Sequence, residues 1–228
     1  MMPCGEIIPS LRGLKFPDLY VVKFFFKEEL HLKENKGRVV ELGCGNGNNL
    51  MLFRAYGYKT IGIDIDELVL ENANYNFNLL FNNAGYQFVK ANFLDFKKIE
   101  FIFEKPIDVL LISNSLNYVR KKELISLLEF LQKQIRSYLK IFLRFRSPRD
   151  SRVCCGKMLN YNEFLIERDI TGEKGQILTV YDESEMVFLL RNYLNLSNYK
   201  VFHLYEENLH KGVKILNADI VIWGDIKP

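Results

Sequence analysis

Val39-Val40-Glu41-Leu42-Gly43-Cys44-Gly45-Asn46-Gly47 is a short apolar run that ends in three alternating glycines. A run of this length bounded by glycine predicts a buried parallel strand, Arg38 to Leu42. The loop that leaves it must turn tightly and bring backbone close to a ligand, and glycine permits both. In an open α/β sheet such a loop lies beyond the carboxyl end of its strand, where ligands bind. The glycines fall at 43, 45 and 47, whereas the dinucleotide fingerprint needs the third one place later, where this chain has Asn48. The spacing suits a nucleotide-like ligand without a pyrophosphate to cradle on the helix N-terminus.

Working outward, the residues after the loop alternate between helix and strand patterns. Asn46 to Ala55 reads as a helix closed near Gly57, and Lys59 to Ile65 as the second strand. Asp66 to Ala84 is helical, with Asp66 as N-cap and Gly85 as the stop. Tyr86 to Ala91, Ile107 to Ser113 and Leu139 to Arg144 read as the third, fourth and fifth strands, with an amphipathic helix over Arg120 to Tyr138. Before the loop, residues 1–18 are loop-rich and Leu19 to Leu32 has apolar residues at helical spacing. Such alternation implies βαβ units, a parallel sheet and right-handed crossovers. The tail differs: a helix over Asp182 to Leu194, then two strands, Lys200 to Tyr205 and Ala218 to Trp223, that fit an antiparallel edge. Between the fifth strand and that tail, Phe164 to Asp169 and Gln176 to Val180 flank Thr171-Gly172-Glu173-Lys174-Gly175 as a β-hairpin.

The bulk numbers narrow the function classes. The 228 residues are 48% hydrophobic and 26% charged, ordinary for one globular domain with a sizeable core. A net charge of +3 and a pI of about 8.5 fall short of the basic excess of a nucleic-acid binder. Cys4, Cys44, Cys154 and Cys155 form no C-x-x-C pair and His31, His203 and His210 are scattered, so no zinc pattern emerges. Reduced thiols in a cytosol are the simplest reading. No signal core and no stretch of ~18 apolar residues is present, so the expected location is cytoplasmic, without a membrane partner.

An acidic side chain at the end of the second strand can accept hydrogen bonds from both hydroxyls of a ribose. Asp64, in Ile61-Gly62-Ile63-Asp64-Ile65-Asp66, stands there, at about the ~20-residue distance expected of a nucleotide site. With this residue added to the loop, the chain resembles the class I S-adenosylmethionine-dependent methyltransferases, of the small-molecule type, from about residue 38 to the end. The resemblance implies an α/β, three-layer Rossmann-like fold: a mostly parallel seven-stranded sheet with an antiparallel C-terminal strand and a hairpin insert after the fifth strand. It implies one domain over 1–228, with residues 1–37 as an N-terminal cap segment and 146–181 as a substrate-side insert. It further implies S-adenosylmethionine as cofactor, S-adenosylhomocysteine as product, and no metal. By the family pattern Glu41, Gly43, Cys44, Gly45, Asn46 and Gly47 face the methionine end, Asp64 the ribose, and Ile65 flanks the adenine; Asn49 is a further cofactor-binding candidate. Asn92 and Phe93 occupy the region where the family offers an acidic residue to the adenine amino group, and Ser113 matches the segment bordering the transferred methyl. Related enzymes close an N-terminal piece over the cofactor, which makes Tyr20 and Lys23 cofactor contacts, with ordinary helix packing and a solvated lysine as the alternative.

Methyl transfer from a sulfonium is an in-line displacement in which approach and alignment dominate. Ser113-Asn114-Ser115-Leu116 is not the Asn/Asp-Pro-Pro-aromatic tetrapeptide of amino-methylating enzymes, and no Pro-Cys pair exists to attack a pyrimidine. Arg144-Phe145-Arg146-Ser147-Pro148-Arg149-Asp150-Ser151-Arg152, followed by Lys157, leaves the fifth strand at its ligand end. Arginine grips phosphate or carboxylate through two parallel hydrogen bonds, so Arg144 and Arg146 are candidate substrate contacts; a solvated basic loop is the alternative. The expected reaction is methylation of an oxygen on a small anionic metabolite or surface-glycan precursor: a phosphate, phosphoramidate, carboxylate or sugar hydroxyl. The acidic oxygens need no base, whereas a hydroxyl requires one, for which Tyr118, His203 or an acidic residue of the insert are the candidates. The alternatives are an RNA or protein methyltransferase, a non-catalytic S-adenosylmethionine-binding partner subunit, and a nicotinamide-dependent oxidoreductase, disfavoured by the glycine spacing. The expected partner is therefore a small-molecule substrate rather than nucleic acid. The 164–180 hairpin would serve as a lid or, through its open edge, as a homo-oligomer contact.

Overall fold

In the computed structural model, which describes residues 8–82, 84–169, 171–210 and 212–228, the apolar run ahead of the glycines is β1, Arg38–Leu42. The first seven residues of the loop-rich start, Cys4 among them, lie outside the described residues. Two compact units divide within the fourth strand, after Leu111.

In the first unit, Asp18 caps α1, Leu19–Lys27, by accepting from the backbone N–H of Tyr20 at 2.7 Å. Val21, Phe24 and Phe25, at the spacing of one helical face, are fully buried. The expected helix to Leu32 breaks early, because Glu29 turns left-handed (φ 54) before a 3₁₀ turn over Leu30–Leu32. α2 spans Asn48–Ala55, β2 Lys59–Asp64, α3 Glu67–Phe81 and β3 Tyr86–Lys90. Asp66 caps α3 as expected, accepting from Leu68 N–H at 2.9 Å. The helix stops at Asn82, whose left-handed conformation (φ 51) ends it ahead of Gly85. A short helix, Phe96–Ile99, and a 3₁₀ turn, Glu100–Glu104, fill a stretch without an expected element. They lead into β4, Val109–Ser113.

In the second unit, α4 covers Lys121–Gln134 and β5 Leu139–Arg146. The insert holds three strands, β6 Gly156–Asn160, β7 Glu163–Ile166 and β8 Ile177–Thr179, in a separate antiparallel sheet. The β7–β8 pair is the expected hairpin, and β6 is an added strand. Phe164, Ile166, Leu178 and Val180 form its own buried cluster. α5, Glu183–Leu194, is capped by Asp182, which accepts from Glu185 N–H at 2.8 Å. β9, Ser197–His210, and β10, Val213–Ile226, are fourteen residues each, so most of the connection expected between them is strand.

The large sheet runs β3-β2-β1-β4-β5-β10-β9. β1 is parallel to β2 and β4, β2 is parallel to β3, and β10 is antiparallel to both β5 and β9. This is the mostly parallel seven-stranded sheet with an antiparallel C-terminal strand that the sequence predicts. Val39, Val40 and Leu42 are fully buried, as a strand covered on both faces requires. Among the described residues, no helix is long and apolar enough to cross a membrane.

Candidate active site

The glycine loop is held from below by strand ends. The N–H groups of Gly43 and Cys44 both donate to the carbonyl of Ile63, at 2.8 and 3.0 Å. The Asp64 carboxylate accepts from the N–H of Gly45 at 2.9 Å and from that of Asp66 at 3.0 Å. Gly45 is left-handed (φ 52), and a Cβ built there meets no atom of the described residues within 4 Å. The loop therefore borders open space at the position where a ligand would approach the backbone. Ile65, directly after Asp64, is 67% exposed and gives this rim an apolar surface.

Glu41 lies at the end of β1, buried to 1% exposure. One carboxylate oxygen accepts from Asn49 Nδ2 at 2.7 Å, and the other has no hydrogen-bond partner among the described residues. Burial pushes this carboxyl up to about 8; the Asn49 bond works against that rise, and the nearby charges of Asp18 and Asp64 add to it. A buried acidic oxygen without a donor is costly unless a ligand supplies one. Cys44 is also buried, its thiol pushed far above the ordinary value, first by burial and then by the charges of Glu41 and Asp64.

Three asparagines tie the N-terminal segment to this loop. Asn46 Nδ2 donates to the carbonyls of Arg12 and Leu14, both at 2.8 Å, and Asn48 Nδ2 to that of Phe16 at 3.0 Å. Asn49 Oδ1 accepts from the N–H of Asp18 at 2.8 Å. Asn46, expected at the cofactor, thus spends both amide hydrogens on the cap segment. Tyr20 and Lys23 sit on α1, with the Lys23 ammonium 4.2 Å over the Tyr20 ring. Asn92 is exposed after β3, and its Oδ1 accepts from Leu94 N–H at 2.9 Å; Phe93 is half-buried beside it.

In the second unit, Ser113 ends β4 and the N–H of Asn114 donates to the Arg144 carbonyl at 2.8 Å. Tyr118 follows, donating from its hydroxyl to Glu173 of the insert at 2.9 Å. Burial of the ring edge and the Glu173 charge push the phenol up to about 12. Glu173 also accepts from Arg152 and Thr171. Burial opposes its charge, but these hydrogen bonds outweigh burial and hold the carboxyl below its ordinary value.

The expected substrate arginines are engaged elsewhere. Arg144 donates through Nε and a terminal nitrogen to one oxygen of Asp219, at 2.8 and 2.5 Å, and Arg146 donates to the other at 2.6 Å. Arg152 joins Asp150 at 3.1 Å. Arg144, Arg146 and Arg152 are thus matched by Asp219, Asp150 and Glu173. The two arginines bind β10 of their own sheet because a buried aspartate must have cationic partners. His203 lies apart from this cluster on β9, with Nε2 2.7 Å from Glu183 Oε2. It lines a groove of about 990 Å³ with Arg149, Arg191, Tyr199 and Tyr205.

A family model described as a methyltransferase domain matches residues 33–149, just over half of the chain. The chain belongs to this methyltransferase family. A solved S-adenosylmethionine-dependent methyltransferase from Methanosarcina mazei is 19% identical with a TM-score of 0.63, covering 89% of this chain and 98% of its own. A protein from Pyrococcus horikoshii is 16% identical with a TM-score of 0.60 over 96% of this chain and 94% of its own. Magnesium protoporphyrin IX methyltransferase from Synechocystis, solved with S-adenosylmethionine, is 11% identical with a TM-score of 0.57 over 92% of this chain and 78% of its own. No curated protein matches the sequence.

In this methyltransferase the structure brings together Glu41, the glycine loop, Asn49 and Asp64. It joins Tyr118 to the insert through Glu173, and it leaves His203 with a separate partner. Asn48, Asp150, Arg152, Glu173 and Asp219 were not singled out by sequence reasoning. Asp219 carried a signal, since an acid inside the apolar run Ala218-Asp219-Ile220-Val221-Ile222-Trp223 needs a buried cation. The asparagines carried none, because their partners lie more than thirty positions upstream.

Proposed function

We propose that this methyltransferase uses S-adenosylmethionine as methyl donor and methylates an acidic oxygen, carboxylate or phosphate, of a small molecule. The residues present fit the donor. The unpartnered Glu41 oxygen offers a buried acceptor for its ammonium group, and Asp64 retains lone pairs for ribose hydroxyls beyond the two N–H bonds it accepts. The open space above Gly45 admits a ligand against the backbone. Bound there, the donor supplies a methyl group already activated by its sulfonium.

The observation that carries the acceptor reading is the state of Tyr118 and Glu173. A base for a neutral alcohol works best with a pKa near the working pH. Tyr118 holds its proton to about 12, and Glu173 is held below the carboxylate range with three donors on it. His203 is bound to Glu183 outside this cluster. An acceptor oxygen that arrives already charged needs none of them. Such an acceptor needs positioning rather than proton removal, and alignment supplies the rate.

The test is transfer of labelled methyl from S-adenosylmethionine to a panel of carboxylic acids, phosphate monoesters, sugars, amines, RNA and protein. Label is expected in a small acid. If the acceptor is a carboxylate, mild alkali releases the label as methanol; a phosphate ester retains it. Label confined to amines, neutral hydroxyls or macromolecules overturns the acceptor reading. No binding of S-adenosylmethionine or S-adenosylhomocysteine by calorimetry overturns the donor.

A further inference from the structure

β9 ends the large sheet, and β10 pairs with it from Ser197 to His210. Among the described residues no strand pairs with its other edge. Protein edges are ordinarily kept short, or blunted by charged side chains, proline or a bulge; the charges on β9, Lys200, Glu206 and Glu207, are of both signs. β9 is fourteen residues long and contains no proline, and its one irregularity lies at the Ser197 end, between Trp223 and Asp225 of β10. Beyond the Asp219–Arg146 register β10 no longer pairs with β5; Ser151 holds the backbone of Leu216 and Arg152 the side chain of Asn217, so the tip, residues 208–210 and 213–215, extends as a two-stranded arm. Leu209 and Val213 on that arm are 72% and 47% exposed. A two-stranded ribbon is marginal in water and gains from a further strand.

The sequence of β9 is complementary to itself. An antiparallel copy related by a two-fold axis through His203, perpendicular to the sheet, keeps every side chain on its own face. That register sets Lys200 opposite Glu206 and Phe202 opposite Leu204, each pair occurring twice. It also sets Val201 opposite Tyr205. Moving the axis one residue toward Phe202 sets Lys200 opposite Leu204. Moving it toward Leu204 sets Phe202 opposite Glu206 and Val201 opposite Glu207. Only the His203 register of these three matches both the charges and the apolar residues. Lys200 and Glu206 are both exposed.

We propose that β9 is the interface of a symmetric homodimer, in which two copies pair antiparallel about His203 and the sheet continues from one subunit into the other. Each arm then lies beside the start of β9 in the partner, which relieves its one-sided pairing. The edge that meets a second copy is β9 of the large sheet, in place of the insert hairpin expected from sequence.

Sedimentation of the full chain at micromolar concentration tests this, and a dimer is expected. Lys200→Glu and Glu206→Lys each place like charges opposite one another twice and should raise the dimer Kd about tenfold or more. The double variant restores opposite charges in reversed order and should recover most of that loss. Both sites are on the exposed edge, so circular dichroism should be unchanged in all three variants. A monomer over the whole concentration range, a dimer indifferent to both reversals, or single-variant losses that the double variant does not recover would each overturn the proposal.

Discussion

Replacing Glu41 by Gln removes a buried charge while keeping its shape, and the structure gives two opposed consequences. Asn49 Nδ2 still finds a carbonyl oxygen at 2.7 Å, but the site of the unpartnered oxygen then carries an amide NH₂, a donor facing the donor's ammonium. A hydrogen bond to a charged group is worth about 1.5–3 kcal/mol. S-adenosylhomocysteine, which keeps the ammonium, should therefore bind roughly 10- to 150-fold more weakly. The protein without ligand should respond in the other direction. A carboxyl held at about 8 rather than 4.5 makes the native state bind more protons than the unfolded chain between those values. Its contribution is intact below about 4.5 and is lost as pH rises through about 8. Above both values the buried charge costs on the order of 5 kcal/mol. Glu41→Gln should abolish that decline, so the variant should melt several degrees above the wild type at pH 9 and level with it near pH 4.5. Calorimetric titration and melting curves across pH 4.5–9 measure both effects. Wild-type affinity for S-adenosylhomocysteine, or melting curves that stay parallel across the range, would refute the assignment of Glu41.

Two other substitutions probe the loop. Asp64→Asn removes the charge offered to the ribose and should weaken S-adenosylhomocysteine binding about tenfold or more, measured by the same titration; unchanged affinity would remove Asp64 from the site. Gly62→Ala places a Cβ 2.6 Å from Cys44 Sγ and 2.7 Å from the Phe88 ring, directly beneath the loop. Such overpacking costs about 1–3 kcal/mol and should lower the melting temperature by several degrees while weakening ligand binding; an unchanged melting curve would show that the loop has room to shift.

Much of the fold was legible because β1, β2 and β4 are short, largely apolar runs and helical patterns separate most of the first five strands. β9 and β10 were read too short for a physical reason. Glu206, Glu207, Asn208 and His210 lie on an edge open to water, so no apolar alternation marks them as strand. β10 becomes continuously apolar only from Ala218, apart from its two aspartates. β6 escaped notice because four of its five residues are exposed. At the candidate site, the grouping of Glu41, the glycines and Asp64 was legible because strand, loop and acid follow each other closely in sequence. The clamp by Asn46, Asn48 and Asn49 was not, since it depends on a chain segment that only folding brings alongside.

The arginines show how a sequence signal can be real and yet belong to the fold. Arg144, Arg146 and Lys140 project from β5 toward the only two buried acids of β10. Asp219 lies directly opposite Arg146 and also holds Arg144, while Asp225 lies opposite Lys140, which donates to it at 2.7 Å. For Asp225, burial opposes the charge, but the bonds from Lys140, Tyr138 and Asn198 outweigh it and hold the carboxyl below its ordinary value. A slip of one residue would turn both acids to the other face and leave them unpaired in a buried strand. Breaking one side of such a pair costs about 3–5 kcal/mol, far more than the pair gains over an apolar substitute. The charges therefore contribute less to stability than to register: they help fix where the antiparallel strand docks on the sheet. That pairing accounts for both arginines without a bound acceptor.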